Sequence, residues 1–273
     1  TFFLARRYLP GNPTRVEGRR FDFPSAVLNA LTFGLFIGCV EAFSHGLSFR
    51  WIVAGVVLLA GIGTVFVRRQ LRQPYPMLPF DLLRIPVFSL SVLTSILSFT
   101  SQMLGMVALP FMFHLTFGMS AAETGLLMTA WPLVIVVAGP LAGTLATKIH
   151  PGLLGGVGLL VMSVGCFLLA DLSPSVGYGG LVARLMLCGF GFGLFQSPNN
   201  HLLLSSAPSY RTGGASGMQA TARLVGQTTG AALVALLFYL NGDRAPHAAM
   251  WLAGGFTLCG SLVSCSRLRA HRF

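Results

Sequence analysis

"YGGLVARLMLCGFGFGLFQSPNNHLLLSS", residues 178–206, is the stretch on which the fold turns. Its apolar part, 178–203, is long enough to cross a bilayer, because about 20 mostly apolar residues suffice. Yet Gln196, Ser197, Asn199, Asn200 and His201 crowd around Pro198. A polar side chain facing lipid is expensive, so polar groups at that depth mark a bundle interior or a water-filled cavity. Steps of 100° per residue put Gln196, Asn199 and Asn200 in a wedge of about 100°, shared with Gly189, Phe192 and Gly193 but not His201. Pro198 has no amide and frees the carbonyl of Leu194. Amide side chains or water can satisfy that carbonyl at membrane depth. The stretch predicts a kinked membrane helix with one wet face.

The rest of the chain agrees in character. Of 273 residues, 54% are hydrophobic and 9% charged, against about 25% charged in soluble domains. Eight apolar runs of spanning length lie at about 24–43, 51–69, 87–112, 122–146, 152–171, 178–203, 213–239 and 247–266. An all-α integral membrane protein with eight transmembrane helices follows. Between the second and third runs, "QPYPMLPFDLLRIPVF" (73–88) reads as a short amphipathic connector at the membrane surface. The net charge of +11 is scattered between apolar runs, with no basic face for nucleic acid. With the N-terminal loop cytoplasmic, that side holds Arg6, Arg7, Arg15, Arg19, Arg20, Arg68, Arg69, Arg72, Arg84, Lys148, Arg211, Arg267, Arg269 and Arg272. The other side holds Arg50 and Arg244, and this asymmetry places both ends of the chain in the cytoplasm. The five cysteines sit in apolar runs without metal-ligand spacing and read as packing thiols.

The seventh span carries the densest polar signal. Thr212, Ser216, Gln219, Arg223 and Gln227 recur at spacings of 4, 3, 4 and 4, within about 80° of one another, and Gly230 continues the line. Arg223 either faces a cavity or snorkels to the cytoplasmic surface. Gln102 in the third span and Trp131 in the fourth are single residues, open to ligand contact or to packing. The spans at 51–69, 152–171, 247–266 and 24–43 have almost no polar groups at mid-membrane. Glycine pairs Gly189/Gly193 and Gly226/Gly230 have the spacing that lets helices approach closely. Among the seven acids only Glu41 and Glu123 approach membrane depth, both near the outer ends of spans. No carboxylate pair, nucleophile–base set or metal cluster is apparent, so the reading is not an enzyme and calls for no metal.

An ordered set of motifs resembles one family. "PMLPFDLLRIPVF" (76–88), "ETGLLMTAWPL" (123–133), "AGPLAG" (138–143), "CGFGFGLFQSPNN" (188–200) and "GGASGMQATARLVGQTTGAAL" (213–233) resemble the fourteen-helix drug:proton antiporters of the major facilitator superfamily. The resemblance implies two six-helix bundles plus two extra central helices. On that division, 1–23 is a cytoplasmic linker after a preceding helix and 24–72 holds the two extra helices. Residues 73–86 are the connector, 87–266 the C-terminal six-helix bundle, and 267–273 a cytoplasmic tail. In this family the first, second, fourth and fifth helices of each bundle line the cavity, and here those are the spans that carry polar residues.

"GTLATKIHPG" (143–152) departs from the family's cytoplasmic loop motif, with Thr147 where the motif has Asp and Lys148 where it has Arg. Arg184 falls off the wet wedge and reads as snorkelling to the outer interface. The resemblance implies the C-terminal portion of a proton-coupled multidrug exporter in a bacterial inner membrane, working by alternating access. The implied cavity residues are Gln102, Trp131, Gln196, Asn199, Asn200, Ser216, Gln219, Arg223 and Gln227. Pro198, Gly189, Gly193, Gly226 and Gly230 would serve kinking and packing. No cofactor is implied beyond the proton gradient. The implied partners are the lipid bilayer, lipophilic small molecules, protons and an N-terminal six-helix bundle that carries the main coupling carboxylate. The rival reading, from the start at Thr1 and the lack of a buried carboxylate, is a non-transporting membrane fragment or an assembly subunit.

Overall fold

The computed structural model describes residues 22–44, 48–73, 78–173 and 175–270. Arg6, Arg7, Arg15, Arg19, Arg20 and Arg272, and with them nearly all of the 1–23 linker, lie outside the described residues. Every regular element among the described residues is helical. Helix α1 spans Phe23–Ser44 and α2 Phe49–Arg72, and the two pack together. A short 3₁₀ turn, Phe80–Arg84, leads into α3, Pro86–Phe117. Then come α4 (Ala121–Met128), α5 (Ala130–Leu145), α6 (Pro151–Ala170), α7 (Tyr178–Ser205), α8 (Thr212–Asn241) and α9 (Ala245–Ala270).

Six of these stretches are long and apolar enough to cross a membrane: Arg50–Arg72, Pro86–Phe117, Ala121–Leu145, Pro151–Ala170, Tyr178–Ser205 and Ser209–Leu268. The predicted count of eight differs at two places. The apolar part of α1, Phe23–Cys39, is shorter than the others. The last stretch runs 60 residues, about 90 Å of helix if it were straight. It does not run straight, because the chain turns at Gly242 with φ 53° and so divides into α8 and α9.

Local chemistry sets the helix ends. Pro86 starts α3, where a missing amide costs nothing. Gly118, with φ 65°, closes it by donating to the carbonyl of His114. The predicted span 122–146 is two helices, because Pro132 has no amide for the Met128 carbonyl and the ladder breaks at Thr129. Helix α7, by contrast, runs without interruption through Pro198.

Within the bundle α9 packs on α6 and α3, α6 on α7, α8 on α3, and α5 on α7. Trp131, Leu104, Met112, Phe113, Met162, Phe192 and Met250 meet at its centre. Lipid is as apolar as these side chains, so close approach and interhelix hydrogen bonds hold the helices together. Ser163 donates to Gly254 O, Ser261 to Gly156 O and Ser264 to Gly152 O, each at 2.8 Å. Each such bond contributes on the order of 0.6 kcal/mol. A Cβ on Gly226 would lie 2.7 Å from Ile96 O, and one on Gly230 2.6 Å from Thr100 O, so α8 meets the α3 backbone directly. Gly189 and Gly193 do the same for α7, against the Trp131 carbonyl and the Ala138 side chain.

A second apolar cluster ties the first two helices to the bundle. Phe66 of α2, Leu78 and Leu82 of the connector, Phe88 of α3, Leu203 of α7 and Met218 of α8 share it. The connector is therefore partly inserted between these helices, while Leu83 and Arg84 stay exposed. Two expectations change. The segment 267–270 is the end of α9, not a free tail. Cys166 and Cys188 are buried thiols as expected, but Cys259 is exposed.

Candidate polar wall and buried arginine network

Sequence placed Arg267 in the cytoplasmic tail; it is instead 1% exposed inside the bundle. Its Nη1 donates to Asn199 Oδ1 at 2.8 Å and to Ser91 Oγ at 3.2 Å, and its Nη2 donates to Thr94 Oγ1 at 2.8 Å. Asn199 Nδ2 in turn donates to Ser95 Oγ at 2.8 Å. Helices α3, α7 and α9 are thus joined by one polar network. Burying a guanidinium costs several kcal/mol. Hydrogen bonds to a charged group return roughly 1.5–3 kcal/mol each, so these contacts offset that cost. The Nε of Arg267 is buried without a partner among the described residues.

Sequence reasoning missed this network, although it left two signals. Ser91, Thr94, Ser95 and Ser98 recur at 3, 1 and 3 residues along α3, on one helical face. Thr257, Ser261, Ser264 and Arg267 recur at 4, 3 and 3 along α9. The last span is therefore not free of polar groups, and hydroxyls bonded to backbone carbonyls hide that in a simple reading. Asn199, assigned to the cavity from sequence, is 1% exposed and fully engaged with Arg267 and Ser95. Trp131 is likewise enclosed, its ring lying over Gly105.

The other sequence-selected residues have a different environment. Gln102, Gln196 and Asn200 are half-buried. On α8, Ser216 and Arg223 are exposed, and Gln219 and Gln227 are half-buried. At 100° per residue Arg223 and Gln227 lie about 60° and 100° around the helix from Gly226, which faces α3. The stripe therefore runs beside the α3–α8 seam and remains open. No hydrogen-bond or ion-pair partner holds Arg223 among the described residues. Arg223 stands eleven residues into α8, about 16 Å along its axis. Arg184 differs: its Nη1 donates to the carbonyl of Leu168 at 2.7 Å.

Two ion pairs among the described residues lie at helix ends. Arg211 forms a two-point bridge to Asp81, Nη2 donating to Oδ1 at 2.9 Å and Nη1 to Oδ2, which fastens the loop before α8 to the connector before α3. The bond from Arg211 holds the Asp81 carboxyl below the usual carboxylate range. At the foot of α1, hydrogen bonds from Ser25, Gln73 and Arg69 lower Asp22 in the same way. Glu123 sits at the exposed start of α4, where it closes a capping box with Ser120. The side chain of Glu41 lies outside the described residues. Thr147 bonds back to Thr144 O at 2.8 Å, and Lys148 is exposed.

Comparison with known proteins places this architecture. The family model described as the Major Facilitator Superfamily matches residues 24–231 and 90–271. The uncharacterized transporter YebQ of Escherichia coli (strain K12) is 50% identical over 269 residues, 98% of this chain and 59% of that protein. The multidrug efflux pump LfrA of Mycolicibacterium smegmatis is 28% identical over 225 residues, 80% of this chain and 43% of the pump. The multidrug resistance protein Stp of Mycobacterium tuberculosis (strain CDC 1551 / Oshkosh) is 28% identical over 238 residues, 85% of this chain and 43% of Stp. The chain spans only 59% of the first of these relatives and less than half of the other two.

Proposed function

The chain belongs to the major facilitator superfamily, and we propose that it forms one half of a proton-coupled multidrug exporter that works by alternating access. In this reading α1, α2, α3, the α4–α5 pair, α6, α7, α8 and α9 make eight crossings of a bacterial inner membrane, with both ends of the chain cytoplasmic. The face bearing Gln102, Gln196, Asn200, Ser216, Gln219, Arg223 and Gln227 is one wall of a central cavity. A second bundle of the same fold supplies the opposite wall and the proton-coupling carboxylate. No cofactor takes part, and the proton gradient drives export.

The observation that carries this reading is the polar stripe of α8, left open beside a closely packed seam. Several interior polar groups of the bundle pair with one another, Arg267 with Asn199, Asn199 with Ser95 and Ser163 with Gly254 O, although Trp131 Nε1 and Arg267 Nε have no partner among the described residues. Beside these closed pairs, an arginine and its amide neighbours left open inside a helix of membrane-spanning length fit a surface made to face water and solute. Multidrug export is supported by the two relatives named for it, and proton coupling by the family resemblance.

The test is efflux of a neutral lipophilic dye, Nile red, from pump-deficient bacteria that express the full coding sequence containing this chain. Efflux that a protonophore abolishes is the expected result. Absence of efflux despite verified insertion would remove the export claim and favour a non-transporting membrane subunit.

A further inference from the structure

We infer that the wall selects for anionic or hydrogen-bond-rich neutral amphiphiles and against organic cations; this rests on the cavity reading above and assigns the substrate class. The argument begins with the acids. Helices α3, α7 and α8, which carry the wall, contain no Asp or Glu at all. Asp81 lies in the connector and is bridged to Arg211, and Glu123 is bonded to Ser120 at the start of α4. Nothing on this face offers a negative charge to a cation.

The arginines supply the opposite sign, and the structure sorts them. Arg267 is enclosed, with its donors directed to Asn199, Ser91 and Thr94. Arg184 is turned to the Leu168 carbonyl. Arg223 alone of these three is exposed without a partner among the described residues, one turn from Gln219 on one side and Gln227 on the other. In a site with low-dielectric walls a single fixed cation raises the local concentration of anions and excludes like charge. A guanidinium also offers paired N–H donors that match the two oxygens of a carboxylate. The amides of Gln219 and Gln227, one turn away on the same helix, extend the donor surface to carbonyl, phenol and phenolate oxygens.

The experiment compares two dyes on one xanthene scaffold, anionic fluorescein and cationic rhodamine 123. Binding to the purified full transporter is followed by fluorescence anisotropy, and Nile red efflux is measured beside it. Wild-type protein is expected to bind fluorescein at least tenfold more tightly than rhodamine 123. Arg223→Gln should erase that preference, Arg223→Lys should keep most of it, and Arg223→Glu should reverse it, each variant first verified as monodisperse. Equal or tighter binding of rhodamine 123 by the wild type overturns the inference. So does an equal loss of both dyes in Arg223→Gln, which would mean that Arg223 pairs with an acid of the opposite bundle. If Nile red efflux continues without any anion preference, the substrate class falls and the exporter stands. If Nile red efflux is absent as well, both fall.

Discussion

Arg267 and Arg223 lie in the same bundle and belong to opposite worlds. Arg267 is closed in among α3, α7 and α9 with both Nη groups bonded; Arg223 stands on α8 with no partner among the described residues. A charge inside a membrane protein is tolerated when its hydrogen bonds are completed by protein or by water. The first arginine uses protein and becomes part of the framework. The second has no partner among the described residues, and under the proposed cavity reading water and solute take that place. The same contrast separates Asn199 from Asn200, neighbours in sequence, of which only the first turns inward to Arg267.

The sharpest way to break this contrast is to disturb the closed side. Asn199→Leu removes an acceptor and leaves a buried guanidinium short of a partner, a change that costs roughly 1.5–3 kcal/mol or more. Folded protein should fall steeply in a thermal melt monitored by size-exclusion chromatography. If Asn199→Leu melts like the wild type, Arg267 is not enclosed as described. Next in size is Gly226→Val, because a side chain there meets the α3 backbone. Overpacking of this kind costs about 1–3 kcal/mol, and Gly213→Val, where nothing lies within 4 Å, serves as the matched control in the same melts.

Asp81→Asn should cost less, about 1 kcal/mol or under, since Asp81 is 44% exposed and its bridge to Arg211 is screened. The sign with pH is fixed by the lowered pKa of the folded carboxyl. The stabilisation is present above the unfolded value near 4 and is lost as pH falls through the folded one. The difference in melting temperature between wild type and Asp81→Asn should therefore close below about pH 4. A gap that widens in acid would contradict the bridge. The smallest effect on stability belongs to the open side. Arg223→Ala should melt within about 0.5 kcal/mol of the wild type, while Nile red efflux drops. Loss of stability there would mean that Arg223 is a framework residue like Arg267.

Much of this was legible in the sequence. The apolar runs located the helices to within a few residues, because spanning length and turn chemistry act locally. The stripe on α8 was legible as well, since spacings of 3 and 4 recur whatever surrounds the helix. Several features were not. The break at Thr129 follows from Pro132, yet Pro198 leaves α7 continuous, so proline alone does not decide. Asn199 was grouped with Asn200 because periodicity orders side chains around one axis without saying which neighbour occupies each direction.

By itself, then, the sequence determined a helical membrane chain, the approximate ends of its helices and the polar stripe of α8. These follow from the cost of exposing backbone and charge to lipid, a cost each segment meets alone. Only the tertiary structure decided which polar faces close on one another and which stay open. A hydrogen bond between Arg267 and Asn199 joins residues 68 positions apart, and no local rule measures that distance. Whether an arginine in this protein is mortar or binding surface is settled by the helix that comes to lie beside it.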